Sequence, residues 1–158
     1  MEKRHGSATV NLLSFSVLKE KLAPGMNPFY PIVKNEGVVY VTELSRDDCD
    51  GCRKREPYFK RFAREIGKSH PGRASFLIIN ATYNADYTEE VLEAKKVFGT
   101  SSFPTVVMHV LNNRRDVAKT YHAISPPVGE IRKNFIVSAE MTERFWPKVC
   151  DRKSKICK

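Results

Sequence analysis

Cys49 and Cys52, three positions apart in Cys49-Asp50-Gly51-Cys52, are the residues of this 158-residue chain best suited to do chemistry. They follow the apolar run Val38-Val39-Tyr40-Val41-Thr42-Glu43-Leu44 and precede a basic amphipathic stretch, so they fall where a strand gives way to a helix. Thiols at this spacing can form and break a disulfide with each other. The free amides and partial positive charge of a helix N-terminus stabilise a thiolate, the species that attacks a disulfide. Cys49 is therefore the expected nucleophile and the exposed member of the pair. Cys52, one turn deeper, is the expected resolving thiol that leaves the pair oxidised. Asp50 and Gly51, between the two thiols, tune the thiolate and hence the redox potential.

The local charges act in both directions. Asp47, Asp48 and Asp50 crowd Cys49 and raise a thiol pKa, whereas the helix terminus and Arg53, Lys54 and Arg55 lower it. An Asp48 engaged as the helix cap repels less, which tips the balance towards a depressed pKa. Cys150 and Cys157 form a second pair in a basic tail, and three readings stay open for them: a structural disulfide, a redox relay, or free thiols. A bridge closing so short a loop stabilises by about 2–3 kcal/mol at best. Zinc is not expected, because only one Cys-x-x-Cys pair is present and it heads a helix. His5, His70, His109 and His122 lack ligand or base spacing, and His109, within a strand, reads as a packing residue.

These residues need a scaffold, and the bulk properties allow one. A chain of this length with 41% hydrophobic residues can bury an ordinary core, and its 28% charged residues argue for solubility. No apolar stretch is long enough to cross a bilayer. The net charge of +9 is localised: residues 53–68 hold seven Lys/Arg against two Glu, and residues 141–158 hold six against two acids. Without interleaved aromatic residues these segments read as solvated faces, not a nucleic-acid surface. Lys3, Arg4 and His5 precede the run 11–18, which resembles a signal peptide only superficially. Asn and Ser interrupt it and no small-residue cleavage site follows, so it is expected to be part of a folded cytoplasmic protein.

Periodicity supplies the elements. Val10 to Leu22 is compatible with a helix ended by Ala23-Pro24-Gly25, and a loop, with room for a short helical piece, leads to the buried strand 38–44. Asp47 or Asp48 is the expected cap of the helix at the cysteine pair. Tyr58, Phe59, Phe62, Ala63 and Ile66 form the inner face of that helix, Pro57 is expected to kink it, and His70-Pro71-Gly72 closes it. Ser75 to Asn80 is a second strand, and Asp86-Tyr87-Thr88-Glu89 resembles a capping box opening a helix to Gly99. Thr105–Leu111 and Val117–His122 form a hairpin, and Ser125-Pro126-Pro127 starts a last helix with Val128, Ile131, Phe135 and Ala139 inward. The pattern specifies an α/β fold, a central mixed sheet with helices on both faces.

Four features in register give this chain a family resemblance. Cys-x-x-Cys follows the central strand; Pro57 lies five residues after Cys52; Phe103-Pro104-Thr105 heads a later strand; and Glu43 stands six residues before Cys49. In this the chain resembles the thioredoxin-like superfamily. The resemblance implies a thioredoxin-like fold over 1–158 as one domain, with an N-terminal extension at 1–36, a core at 37–140 and a basic, cysteine-containing tail at 141–158. It implies a buried Glu43 that accepts the proton of Cys52, where the plainer alternative is a Glu facing solvent at a strand end. It also implies a cis bond at Pro104 that presents Phe103, Pro104 and Thr105 to an extended substrate segment, where the alternative is a proline starting an edge strand.

The chain departs from thioredoxins where Asp48 replaces a Trp and Asp50-Gly51 replaces Gly-Pro, and its spacing from Cys52 to Pro104 is longer, with the surplus around Thr82 to Thr88. The expected function is a cytoplasmic thiol:disulfide oxidoreductase without a bound cofactor. It would act on protein disulfides or dithiols and be regenerated by a reductase or oxidant, with no membrane partner. The rival is a non-catalytic binding module that uses the Pro104 groove and the basic surface.

Overall fold

The central strands form from runs rich in β-branched and aromatic residues that can be covered on both sides. In chain order the elements are β1 (Val10–Ser14), α1 (Phe15–Lys19), β2 (Val39–Arg46), α2 (Asp50–Ser69), β3 (Ala74–Ala81), α3 (Glu89–Phe98), β4 (Thr105–Leu111), β5 (Val117–Ile124) and α4 (Val128–Phe145). This computed structural model describes residues 9–82 and 89–147. Residues 86–88 of the expected capping box, and Cys150 and Cys157, lie outside the described residues.

The strands form one mixed sheet in the order β1-β3-β2-β4-β5. β1 and β2 run parallel to β3, β4 is antiparallel to β2, and β5 is antiparallel to β4. β4 is buried along its whole length and β2 along its first six residues, as expected of central strands covered on both faces. Alternation then sends successive residues of β2 to opposite sides. Val39 and Val41 enter a core shared with Phe59, Phe62 and Ile66 of α2 and Ile131 and Phe135 of α4. Tyr40 and Leu44 enter a second core with Phe15 and Leu18 of α1, Phe29 of the following loop, and Val91 and Phe98 of α3. In the first core Phe76 meets Phe59 and Phe62 edge-on, with ring centroids 5.8 Å apart in each pair. Each such buried side chain stabilises the fold by about 1.5–3 kcal/mol.

Three expectations are corrected. The segment from Val10 is not one helix: Val10–Ser14 is a strand that pairs with β3 in the register Val10↔Phe76 to Ser14↔Asn80. The open edge of β3 overrides a weak helical pattern, because each ladder bond satisfies backbone that a short helix would leave exposed at its ends. Helix begins only at Phe15, capped by the Ser14 hydroxyl, which accepts from Val17 N at 3.4 Å. Pro24 to Pro31 is a loop as expected, and the short helical piece with room up to Gly37 does not form, since residues 24–37 make only turns. On α2, Phe59, Phe62, Ala63 and Ile66 face inward as expected, but Tyr58 is 56% exposed, with the Arg61 guanidinium 6.0 Å from its ring centroid. Lys54, Arg61, Arg64 and Lys68 are exposed, so this basic segment is the solvated face of a helix. Among the described residues no helix is long and apolar enough to cross a membrane.

Candidate active site

The site lies at the C-terminal end of β2, where the chain leaves the sheet through Asp47 and Asp48 and enters α2. That short link is fastened at several points. Asp47 N donates to Ala81 O at 2.9 Å, Asn80 Nδ2 donates to Asp47 Oδ1 at 2.7 Å, and Arg46 Nη1 donates to the carbonyls of Asp47 and Asp48 at 3.1 and 2.8 Å. Asp48 takes a φ of 53°, in the left-handed region that Asp tolerates better than most residues. The turn delivers Cys49 to the N-cap position of α2.

The cap of α2 is Cys49 itself and not Asp47 or Asp48. Its sulfur accepts from Cys52 N at 3.2 Å, while the Asp47 carboxylate is engaged by Asn80. An amide aimed at this sulfur favours its anionic form, as does the helix dipole. Cys49 and Cys52 are disulfide-bonded with a Cα–Cα distance of 5.2 Å. The expected contrast in exposure is absent, since both residues are 6% exposed. In the oxidised pair the distinction between them is positional: Cys49 is at the cap, and Cys52 is inside the first turn.

Asp50 forms an ion pair with Arg53, and that guanidinium holds its carboxyl below the usual range. The Asp50 charge beside the sulfurs is therefore partly offset by a neighbour on the same turn. Gly51 provides close approach to another segment: a Cβ placed on it would lie 3.4 Å from Pro104 Cδ. The loop before β4 thus packs directly on the cysteine turn.

The Phe103–Pro104 peptide bond is cis, and Pro104 is buried. The Pro104 carbonyl accepts from Ser125 N at 2.9 Å. Thr105 is fully buried, its hydroxyl 2.7 Å from that of Thr100 and donating to Ser102 O at 2.6 Å, so its side chain holds the loop together. Phe103 packs against the second core.

Beneath the pair lies Glu43. It stands opposite Ile78 of β3 and Val106 of β4 in the sheet register and is only 1% exposed, which removes the solvent-facing alternative. Arg55 of α2 donates from Nε to Glu43 Oε1 at 3.0 Å. Burial pushes the Glu43 carboxyl above its ordinary value, and the hydrogen bond and charge of Arg55 oppose that rise. A cleft of about 520 Å³ brings Glu43, Cys49 and Cys52 together, with Leu12 of β1, Ile78 of β3 and Glu56 of α2 in its walls. A carboxyl whose pKa burial raises therefore shares one cavity with Cys49 and Cys52.

Arg55 is the residue that sequence reading missed as part of this site, having counted it only among the charges near the thiols. Its signal was its place three residues after Cys52, which puts both on one side of α2. His109, by contrast, is the packing residue expected: it is 1% exposed and stacked on Phe29 at 3.9 Å between centroids.

This architecture is the thioredoxin fold. Spinach chloroplast thioredoxin f, in its short form, is similar with a TM-score of 0.56 and 18% identity, over 89% of this chain and 99% of that one. Fasciola hepatica thioredoxin gives 0.52 and 16%, over 80% and 97%. A thioredoxin f2 complex with ferredoxin:thioredoxin reductase gives 0.56 and 13%, over 84% and 97%. No protein-family model and no curated protein matches the chain. At these identities the likeness establishes the fold, and the chemistry must be argued from the site.

Proposed function

We propose that this chain is a thiol:disulfide oxidoreductase that exchanges protein disulfides through Cys49 and Cys52. The observation that carries this reading is a disulfide at a helix N-terminus, sharing a cleft with a buried carboxyl. In the reducing direction the Cys49 thiolate attacks one sulfur of a substrate disulfide. A Cys49–substrate disulfide forms, the substrate S–S bond breaks, and the other substrate sulfur leaves as a thiolate that takes a proton from solvent. Cys52 then gives its proton to the Glu43 carboxylate and attacks Cys49 Sγ. The second substrate sulfur departs as a thiolate, and the Cys49–Cys52 bond of the present structure results. Two electrons have passed to the substrate, and a dithiol reductase must return them.

The backbone around Phe103, Pro104 and Thr105 is the expected rest for an extended substrate segment, because it packs against the cysteine turn. A thioredoxin of this fold has been crystallised with a reductase, which supports a reductase as the kind of regenerating partner. A cytoplasmic setting, where thiols are kept reduced, would run the pair in this direction. The fold also serves in the spinach chloroplast, the source of a similar thioredoxin. The deciding experiment is turnover of an insulin-type disulfide substrate with a dithiol reductant, together with trapping on Cys52→Ser. Mixed disulfides through Cys49 are expected. An intact fold that neither turns over nor traps substrate would leave only the binding-module reading.

A further inference from the structure

Glu43 is one end of a chain of contacts that leaves the cysteine pair and returns to it from the other side. Arg55, 18% exposed in its side chain, donates from Nε to Glu43 Oε1 at 3.0 Å and from Nη1 to Pro126 O at 2.5 Å. Pro126 belongs to the link between β5 and α4. Its neighbour Ser125, at a φ of 45°, donates its backbone N–H to Pro104 O at 2.9 Å. One guanidinium thus ties the carboxyl below Cys52 to the link that holds the proline loop above Gly51.

We infer that Arg55 is a positioning residue that keeps Glu43 charged and oriented beside Cys52 while anchoring, through Pro126, the link that fixes Pro104 against the cysteine turn. This rests on the reading of Glu43 as the proton acceptor of Cys52. The physical reason is that a carboxylate in an apolar site needs a cation and a directed donor to remain a base. The neighbours of Glu43 in the sheet, Ile78 and Val106, supply neither. On α2 the other titratable groups of the cleft are Cys52, Arg53 and Glu56; Arg53 is paired with Asp50, and the charge of Glu56 disfavours ionisation of Glu43. Beyond Arg55 lie Tyr121 of β5, a phenol that burial and Glu130 push up to about 12, and Glu130 of α4. Arg55 is the cation hydrogen-bonded to Glu43. A planar guanidinium can serve the carboxylate and the carbonyl at once from separate nitrogens, whereas an ammonium puts its three donors on one compact charge.

The test uses the full chain as parent, R55M and R55K, and follows three readouts. The first is the ionisation of Glu43 by carboxyl NMR in the reduced protein. The second is the pH profile of the resolving step in single turnover, and the third is hydrogen exchange at the Ser125 amide. R55M is expected to move the Glu43 ionisation upward by about one pH unit and to carry the rising limb of resolution with it, slowing that step about tenfold on the limb. Attack by Cys49 should change less, and the Ser125 amide should exchange faster. R55K should fall between parent and R55M. Unchanged Glu43 ionisation in R55M, or unchanged Ser125 exchange, overturns the inference. Should R55M fail to fold, an R55K profile identical to that of the parent overturns the two-point anchoring. A Glu43 ionisation that moves while the resolution limb stays would instead remove Glu43 as the base and leave the Arg55 contact standing.

Discussion

Two ionisable residues are buried to the same degree on neighbouring strands of one sheet, and their surroundings give them opposite characters. Glu43 of β2 and His109 of β4 are each 1% exposed. Glu43 lies under α2, bonded to Arg55, in the wall of a cleft that reaches both sulfurs. His109 lies across the sheet, stacked on Phe29, with Nδ1 meeting no hydrogen-bond partner among the described residues. Burial pushes its imidazole down to about 3, with Lys119 and then His122 adding to the effect, so it is neutral at ordinary pH. Burial alone therefore marks nothing functional. A charged partner and an open route to reacting atoms separate the candidate base from the packing residue.

The largest expected effect would break the Glu43 side of this comparison at its centre. Cys49→Ser should reduce turnover to background. Cys52→Ser should stop it at a Cys49-linked mixed disulfide, detectable by mass spectrometry of the trapped complex. Substrate linked through residue 52 in a Cys49→Ser protein as readily as through residue 49 in the Cys52→Ser protein would reverse the assigned roles.

Next in size is Glu43→Gln, which keeps the shape and removes the base. Resolution should slow by about a hundredfold while attack by Cys49 changes less, as rapid-mixing kinetics can show. Equal slowing of both steps would assign Glu43 to general electrostatics or packing.

The two residues should also bend the stability curve in opposite directions. Glu43 has a folded pKa raised above its ordinary 4.5, so its contribution is fully present below that value and is lost as pH rises through the folded value. His109 has a folded pKa lowered from 6.5 to about 3, so stability is lost as pH falls across that interval, while the unfolded chain gains a proton that the native state refuses. By pH 4 that loss is on the order of 3 kcal/mol. His109→Phe should remove much of it, and Glu43→Gln should flatten the opposite slope. Urea midpoints measured from pH 4 to 8 compare the variants. His109→Phe should also leave disulfide exchange at neutral pH unchanged; a substantial loss of exchange in a folded His109→Phe protein would give that residue a part in the site.

The smallest effect tests the contact between the two loops. A methyl at residue 51 would meet Pro104 Cδ at 3.4 Å, the edge of ordinary contact, and Ala gains about 0.5–1 kcal/mol over Gly within a helix. Gly51→Ala should therefore stay within about 1 kcal/mol of the parent in stability and within a few-fold in turnover. A larger loss of turnover with the fold intact would show that the substrate backbone needs the space above Gly51.

The cysteine pair, the strand before it, the helix after it and the proline loop were legible in the sequence because they are local. Cys49 and Cys52 are close in any helix start, the run 38–44 is a strand by composition, and Pro104 heads another such run. The inner face of α2 was legible in Phe59, Phe62, Ala63 and Ile66, since a period of 3.6 needs no knowledge of the partner. Tyr58 was misplaced because an aromatic ring at the margin of that face packs only if a neighbour reaches it. Val10–Ser14 was misread because a strand at a sheet edge is decided by the edge that receives it, here β3, and not by its own weak pattern. The same holds at the site. Tertiary structure alone gave the helix cap to the Cys49 sulfur, turned Asp47 to Asn80, and brought Arg55 to Glu43 twelve residues away. Sequence by itself determined which groups could react. The packing of α2 on β2 decided which of them share a cavity, because the solvation and charge that set a carboxyl or thiol are properties of the space around it and not of the residue.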